Sequence, residues 1–592
     1  MGQTYEQTWD LETIFAGGSD SEALRTYISN IDEKVIDLEK AINDFESTVA
    51  DATHLITIIS KFEAVMKQFR EVSAFISCLS AQDVTDKGAT ILVGKRSELG
   101  AKMGEISTMF DQKLVAVKES DWNSLLEHPK LKEVDFVLSE RRTQAKEQLP
   151  AAQEVLINDL AVDGYNGWGQ MYDAIVGKMT VDVEEDGDVK SYSVGQAANK
   201  LSHPNRSVRQ HVAKKLDEAW SGNADLFGQT LNHLAGFRLQ TYKHRGWHNV
   251  LKEPLEINRM KQETLDAMWG AISRNKQPFV DFLHKKAELL GLEKLSMFDI
   301  GAPLSKTNKT YSFTEGAEFI VEQFKAFSPK MADFAQMAFE NRWIEAEDRA
   351  GKRPGGFCTS FPASEQTRIF MTYSGTASNI ATLAHELGHA YHQHVMNDIH
   401  GLNQRYAMNV AETASTFAEM IVADASVQNA TSPEEKQALL EDKVQRSVAF
   451  FMNIHARFLF ETRFYEERKQ GMVSVDRLNA LMVEAQKEAY CDAIEDYDQN
   501  FWSSKLHFHI TGVPFYNFPY TFGYLFSLGI YAYAKEKGGS FEDAYIALLR
   551  DTGRMTVEDL AMKHLNVDLT KPDFWENAIK LCVADVEAFL EM

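Results

Sequence analysis

Five residues constrain this chain more than any others: His385-Glu386-Leu387-Gly388-His389, within TASNIATLAHELGHAYHQHV. Histidines four apart on a helix project from one face, close enough to hold one metal ion, and the intervening glutamate sits beside that ion without having to ligate it. A helix is the expected carrier. Ser378 or Thr376 can cap it, and Ile380, Leu383, Ala384, Leu387 and Tyr391 recur at helical spacing. With 17 histidines in 592 residues, chance alone yields the pattern about 0.04 times in such a chain, so its surroundings must decide. A catalytic zinc takes three protein ligands and keeps a further position for water, so a third ligand must come from elsewhere.

The segment NVAETASTFAE offers it. Glu412 lies 23 residues past His389, enough to finish one helix, turn, and bring a second alongside. Glu412 and Glu419 are seven apart and share a helix face with Ser415. The acidic pair can supply one ligand and one partner that orients an imidazole N–H. A metzincin would need Gly three residues after the second histidine and a third histidine three further on; those places hold His392 and Val395, which excludes that class. His392, on the face of His389, reads as an orienting or packing residue.

Such a site needs walls, and 592 residues can bury enough core to build them. The formal charge of −24, with no basic block, argues against nucleic acid and anionic lipid as partners. Cys78, Cys358, Cys491 and Cys582 form no CxxC pair and fit a reducing compartment; only Cys358, in GGFCTSF, lies near enough the motif to line a site. The opening MGQTYEQTWDLETIF shows neither a basic n-region nor an apolar run, and Glu6 stands where a myristoylation pattern wants Ser or Thr. A cytoplasmic location is expected, with no membrane association and no feature pointing to an obligate protein partner. The apolar stretch at 518–534 carries Pro519, Gly523 and several tyrosines, and reads as a buried helix.

From about Ser19 to Leu160 apolar residues recur every three or four positions, which predicts successive amphipathic helices. At MTVDVEEDGDVKSYSV the period drops to two around Glu185-Asp186-Gly187-Asp188, a hairpin signal. The reading divides the chain into an N-terminal helical lobe, 1–195, ending in that hairpin, and a catalytic domain, 196–592. GKRPGGF, at 351–357, is too rich in Gly and Pro for a helix and predicts a loop. The β-prone run Thr367–Tyr373 follows. A strand there could offer an unpaired edge to an extended peptide, an ordinary paired strand being the alternative. Gly355, Gly356, Phe370 and Thr372 are therefore the candidate substrate-binding residues. Ser432-Pro433-Glu434-Glu435 reads as a helix start.

Three stretches, HELGHAYH at 385–392, AETAST at 411–416 with the later Glu419, and HFHITGVPFYNFPYTFGYLFS at 507–527, together with the lead-in GKRPGGFCTSF and RIFMTYSGT, resemble the thimet oligopeptidase and oligoendopeptidase F family of zinc peptidases. TWDLETIF, the length and the helical first part are similar to the oligoendopeptidase F branch. The resemblance implies a mainly α-helical protein of two lobes enclosing a deep substrate channel, with a small β element beside the motif helix. It implies one zinc ion per chain held by His385, His389 and Glu412, with Glu386 as general base and short peptides as substrates. The family also places a histidine and tyrosines from the C-terminal segment over the scissile carbonyl. Here His507, His509, Tyr516 and Tyr520 compete for those roles because the spacing is longer than in the thimet branch; His509, Tyr516 and Tyr520 are preferred, with Tyr524 next. Internal cleavage is the expected activity. A dipeptidyl carboxypeptidase-type exopeptidase, or a peptide-binding homologue without catalysis, are the alternatives.

Overall fold

The helical periodicity is realised along most of the chain. In a computed structural model that describes residues 4–49, 51–185, 187–304, 310–537 and 541–592, the protein is mainly helical, with two small sheets. Helix Glu22–Asn43 shows why: Leu24, Ile28, Ile31, Val35, Leu38 and Ile42, alternately four and three apart, are all buried. The Ser21 hydroxyl accepts the Leu24 amide at 3.2 Å and closes its first turn. Asp51 does the same for helix Ala52–Gln82, accepting from Thr53 and His54.

The hairpin falls where the period changes. Strands β1 (Thr180–Glu185) and β2 (Asp188–Ser193) pair antiparallel, with Val181 and Val183 on the buried face; Asp186, in the expected turn, lies outside the described residues. A second sheet has the order β3 (Ile344–Glu345), β5 (Gln366–Phe370), β4 (Phe357–Phe361), with β5 parallel to β3 and antiparallel to β4. Strand β5 is therefore paired on both sides. The Met371 and Tyr373 amides continue the ladder to Glu345 and Ala346, so of the two readings of this run the ordinary paired strand holds; among the described residues the strand paired on one side only and adjacent in sequence to the glycine loop is β4.

The chain forms two compact units. The first comprises Met1–Glu147, Lys309–Ser426 and Tyr533–Asn566. Its core joins the N-terminal helices, through Phe62, Phe75 and Phe110, to Phe361 and Phe370 of the sheet. Each such side chain contributes about 1.5–3 kcal/mol by burial. The second comprises Gln148–Asn308, Val427–Ala532 and Val567–Met592. Ser432 caps its helix Pro433–Val448, as the sequence predicts, and Phe279–Phe451 and Phe282–Phe589 ring contacts at 5.3 and 5.0 Å lie in its interior. The apolar stretch near 518 is a helix, Phe518–Lys537, with Phe522, Leu525, Phe526 and Ile530 inaccessible to solvent. Among the described residues no helix is long and apolar enough to cross a membrane.

In the first unit, the motif helix Ala377–His394 packs against the sheet strands β4 and β5 on one side and against helix Met408–Gln428 on another. At Gly388 the approach reaches the main chain: a Cβ there would lie 2.6 Å from Ser415 Cα and closer still to the Ala414 carbonyl oxygen. Only glycine permits it. Gly104, exposed inside helix Lys87–Ala116, is the opposite case, since a Cβ at that position would have nothing within 4 Å. Gly388→Ala should therefore destabilise the first unit by about 1–3 kcal/mol through overpacking. Gly104→Ala should stabilise it by up to about 1 kcal/mol through helix propensity. Denaturant unfolding followed by tryptophan fluorescence reads both; equal effects at the two glycines would refute the close-packing account.

Candidate metal centre

The motif helix is capped by Thr376, which accepts the Asn379 amide at 3.1 Å while Asn379 accepts the Thr376 amide in return. Ile380, Leu383, Ala384, Leu387 and Tyr391 are buried, as their spacing predicts, and this turns His385 and His389 together onto another face. Helix Met408–Gln428 is anchored by Val410, Ala414, Phe417, Ile421 and Val422. It presents Glu412 to the two imidazoles: Glu412 Oε2 lies 3.2 Å from His385 Nε2 and 3.5 Å from His389 Nε2. One donor atom from each of the three residues falls within 4.8 Å of the others.

A second ring of contacts holds these groups. Glu419, two turns on from Glu412, accepts from His385 Nδ1 at 3.1 Å, which orients the ring with Nε2 facing Glu412. Ser415 donates to Glu412 Oε2 at 2.7 Å. His389 makes a backbone hydrogen bond with Ala411. His392 faces elsewhere: its Nε2 is 2.9 Å from Thr552 Oγ1 and 3.3 Å from the Leu549 carbonyl, and its ring stacks on Tyr406 at 4.2 Å.

Burial shapes the charges. It depresses His389 to about 4, so that ring is neutral at pH 7 and its nitrogen lone pair is available. Burial would raise the Glu412 acid, but the His385 hydrogen bond, the adjacent His389 and His385 rings and the Ser415 hydroxyl outweigh it and hold Glu412 at about 2. Glu386 receives no such support. Desolvation lifts it to about 7 despite the nearby His385, and Glu412 pushes the same way. Its Oε2 is buried without a hydrogen-bond partner.

The glycine loop ends beside this carboxylate. A Cβ on Gly356 would sit 3.2 Å from the Phe370 carbonyl oxygen and 3.6 Å from Glu386 Oε1, while Gly355 adopts φ +94°. Gly355, Gly356 and Thr372 are exposed. The Phe370 side chain is not: it is inaccessible and stacks on Phe357 at 5.3 Å. Cys358, on β4, has its thiol pushed well up by burial and, secondarily, by Glu386, so it stays protonated.

The remaining candidates belong to the second unit. His507, Tyr516 and Tyr520 are partly exposed and form one ring cluster, with centroid separations of 5.5, 6.4 and 5.8 Å. His509 is 1% exposed and stacks on Tyr172 at 4.1 Å. Tyr524 is buried against Phe450, its hydroxyl 3.0 Å from Ser447 Oγ. The structure thus puts His509 and Tyr524 in the interior and His507, left open by the sequence, with the two tyrosines. Ser415 was legible only as a face-sharing neighbour of Glu412; its hydroxyl bond follows from the i, i+3 spacing.

The chain is similar to known proteins along most of its length. The family model described as Peptidase family M3 matches residues 200–581, and one described as Oligopeptidase F matches 113–180. An oligoendopeptidase F homolog of Lactococcus lactis subsp. lactis is 24% identical over 98% of this chain and 96% of its own length. The group B oligopeptidase PepB of Streptococcus agalactiae is 23% identical over 97% and 95%. The crystal structure of oligoendopeptidase-F from Enterococcus faecium shares the fold with a TM-score of 0.68 at 17% identity, covering 97% of this chain and 99% of that one. With well over half of its length matched by a single family model, the chain belongs to peptidase family M3.

Proposed function

We propose that this protein is a zinc-dependent oligoendopeptidase that hydrolyses internal bonds of short peptides. The observation that carries the reading is the convergence of His385, His389 and Glu412 on one point, their donor atoms within 4.8 Å, beside a buried carboxylate with an unpartnered oxygen. Two imidazoles and one carboxylate suit zinc, and three protein donors leave room for water. Glu419 on His385 Nδ1 supplies the outer support that such ligands take.

Zinc bound there would act as a Lewis acid and lower the pKa of water from near 16 to about 7. Glu386 takes the proton of the attacking water on its free carboxylate oxygen and returns it to the departing amine. Burial suits both halves of that duty, because a carboxyl group poised near neutrality accepts and releases a proton at comparable cost. Tyr520 and Tyr516, with His507 in place of the interior His509, are assigned as hydrogen-bond donors to the oxyanion. The outer edge of β4, paired on one side only among the described residues, is assigned to the main chain of an extended peptide.

Three measurements test the reading. Glu386→Gln should retain zinc, measured by elemental analysis, and lose at least about 10²–10³ in turnover, with Tyr520→Phe falling in the same range. Full activity in Glu386→Gln would end the mechanism. Glu419→Gln should weaken metal affinity about 10–100-fold in competition with a chelator; unchanged affinity would mean that Glu419 does not support the ligand. Peptides blocked at both ends should be cut internally, as read by mass spectrometry. A strict need for a free C-terminus would replace the endopeptidase assignment with the exopeptidase one.

A further inference from the structure

The glycine loop beside Glu386 is tied down by a buried lysine that the mechanism above does not use. Lys352 has a side chain only 3% exposed, an uncommon place for an ammonium group. Its Nζ lies 3.3 Å from Glu345 Oε1 and donates to the Glu347 carbonyl at 2.7 Å and the Met371 carbonyl at 2.9 Å, above the Phe370 ring at 4.8 Å. Those three acceptors match its three hydrogens. Glu345, 1% exposed on its side chain, also takes Arg349 at 3.0 Å and the Trp9 amide at 3.4 Å.

The main chain on either side of Lys352 is held as well. The Gly351 carbonyl accepts from the Val84 amide, and the Arg353 amide donates to the Ala81 carbonyl, both at 2.9 Å. What remains between this anchor and β4 is an exposed tip of three residues, Pro354-Gly355-Gly356. Lys352 grips the Met371 carbonyl, and Gly356 rests against the carbonyl of the preceding residue, Phe370. Two loop residues four apart thus meet consecutive residues at the end of β5. Moving residue 352 away from the end of β5 would break the lysine's bond to the Met371 carbonyl.

A buried ion pair of this kind contributes little net stability over well-packed apolar groups, because desolvation offsets the attraction. What it does supply is a single geometry. We propose that Lys352 is a positioning residue: paired with Glu345, it fixes the Pro354-Gly355-Gly356 tip beside the Glu386 carboxylate, so that a peptide meets main-chain groups at a set distance from the base. The inference rests on the reading of Glu386 as that base.

The test uses the full-length zinc-loaded protein and Lys352→Met. Amide exchange by mass spectrometry should quicken in peptides covering 351–357 and stay unchanged across the motif helix Ala377–His394, with zinc content preserved. For a quenched-fluorescence peptide, KM should rise about tenfold or more while kcat stays within about threefold, and Lys352→Arg should recover part of the loss. Unchanged exchange at the tip in a folded variant, or a fall in apparent kcat matching the fraction unfolded with KM unchanged, would overturn the proposal. If Lys352→Met does not fold, Glu345→Gln/Lys352→Met, with neither charge of the pair left buried alone, gives the same reading. If the unmodified protein cleaves no peptide, the functional assignment fails while the exchange measurement still decides whether Lys352 holds the loop.

Discussion

The contact between two helices at Gly388 underlies the whole site. Because the residue has no side chain, helix Met408–Gln428 lies against the motif helix with Ala414 and Ser415 touching its backbone. That separation is what lets a side chain as short as glutamate reach from one helix to both imidazoles of the other. Close-packed interiors resist displacement because neighbouring side chains have nowhere to go, so the arrangement of His385, His389 and Glu412 inherits the stiffness of the core.

Around that contact the charges are balanced by unequal support. Glu412 is bonded by His385 and Ser415 and stays ionised, whereas Glu386, one residue along from His385, has burial against it and an unpartnered oxygen. Two carboxylates of one type, close enough to influence each other electrostatically, are thereby given different protonation behaviour by environment alone. One is suited to hold a cation, and the other to carry a proton.

The sheet and the glycine loop complete the surroundings from the other side. Strand β5 is locked between β3 and β4 with Phe370 in the core, and the loop bends over its end under the hold of Lys352. Rigid elements present His385, His389 and Glu412, and a main-chain segment borders the Glu386 carboxylate. Loops carry function well when a stiff frame positions them, and here the frame includes a salt bridge buried within the same unit.

Much of this was legible in the amino-acid sequence. The period of 3.6 in 22–43 and the drop to two at 179–194 follow from local geometry, since helices and strands present side chains at fixed intervals whatever they pack against. The capping residues, and the pairing of His385 with His389 on one face, are equally local. Tertiary structure alone decided the rest. Whether Glu412 or Glu419 faces both imidazoles depends on how two helices cross. Whether β5 has a free edge depends on Ile344 and Glu345, which lie more than twenty residues upstream. The fate of His509 depends on Tyr172, more than three hundred residues away in sequence. Local dihedral and burial preferences are written in neighbouring residues, but distance between a donor and its acceptor is set by the packing of segments the sequence keeps far apart.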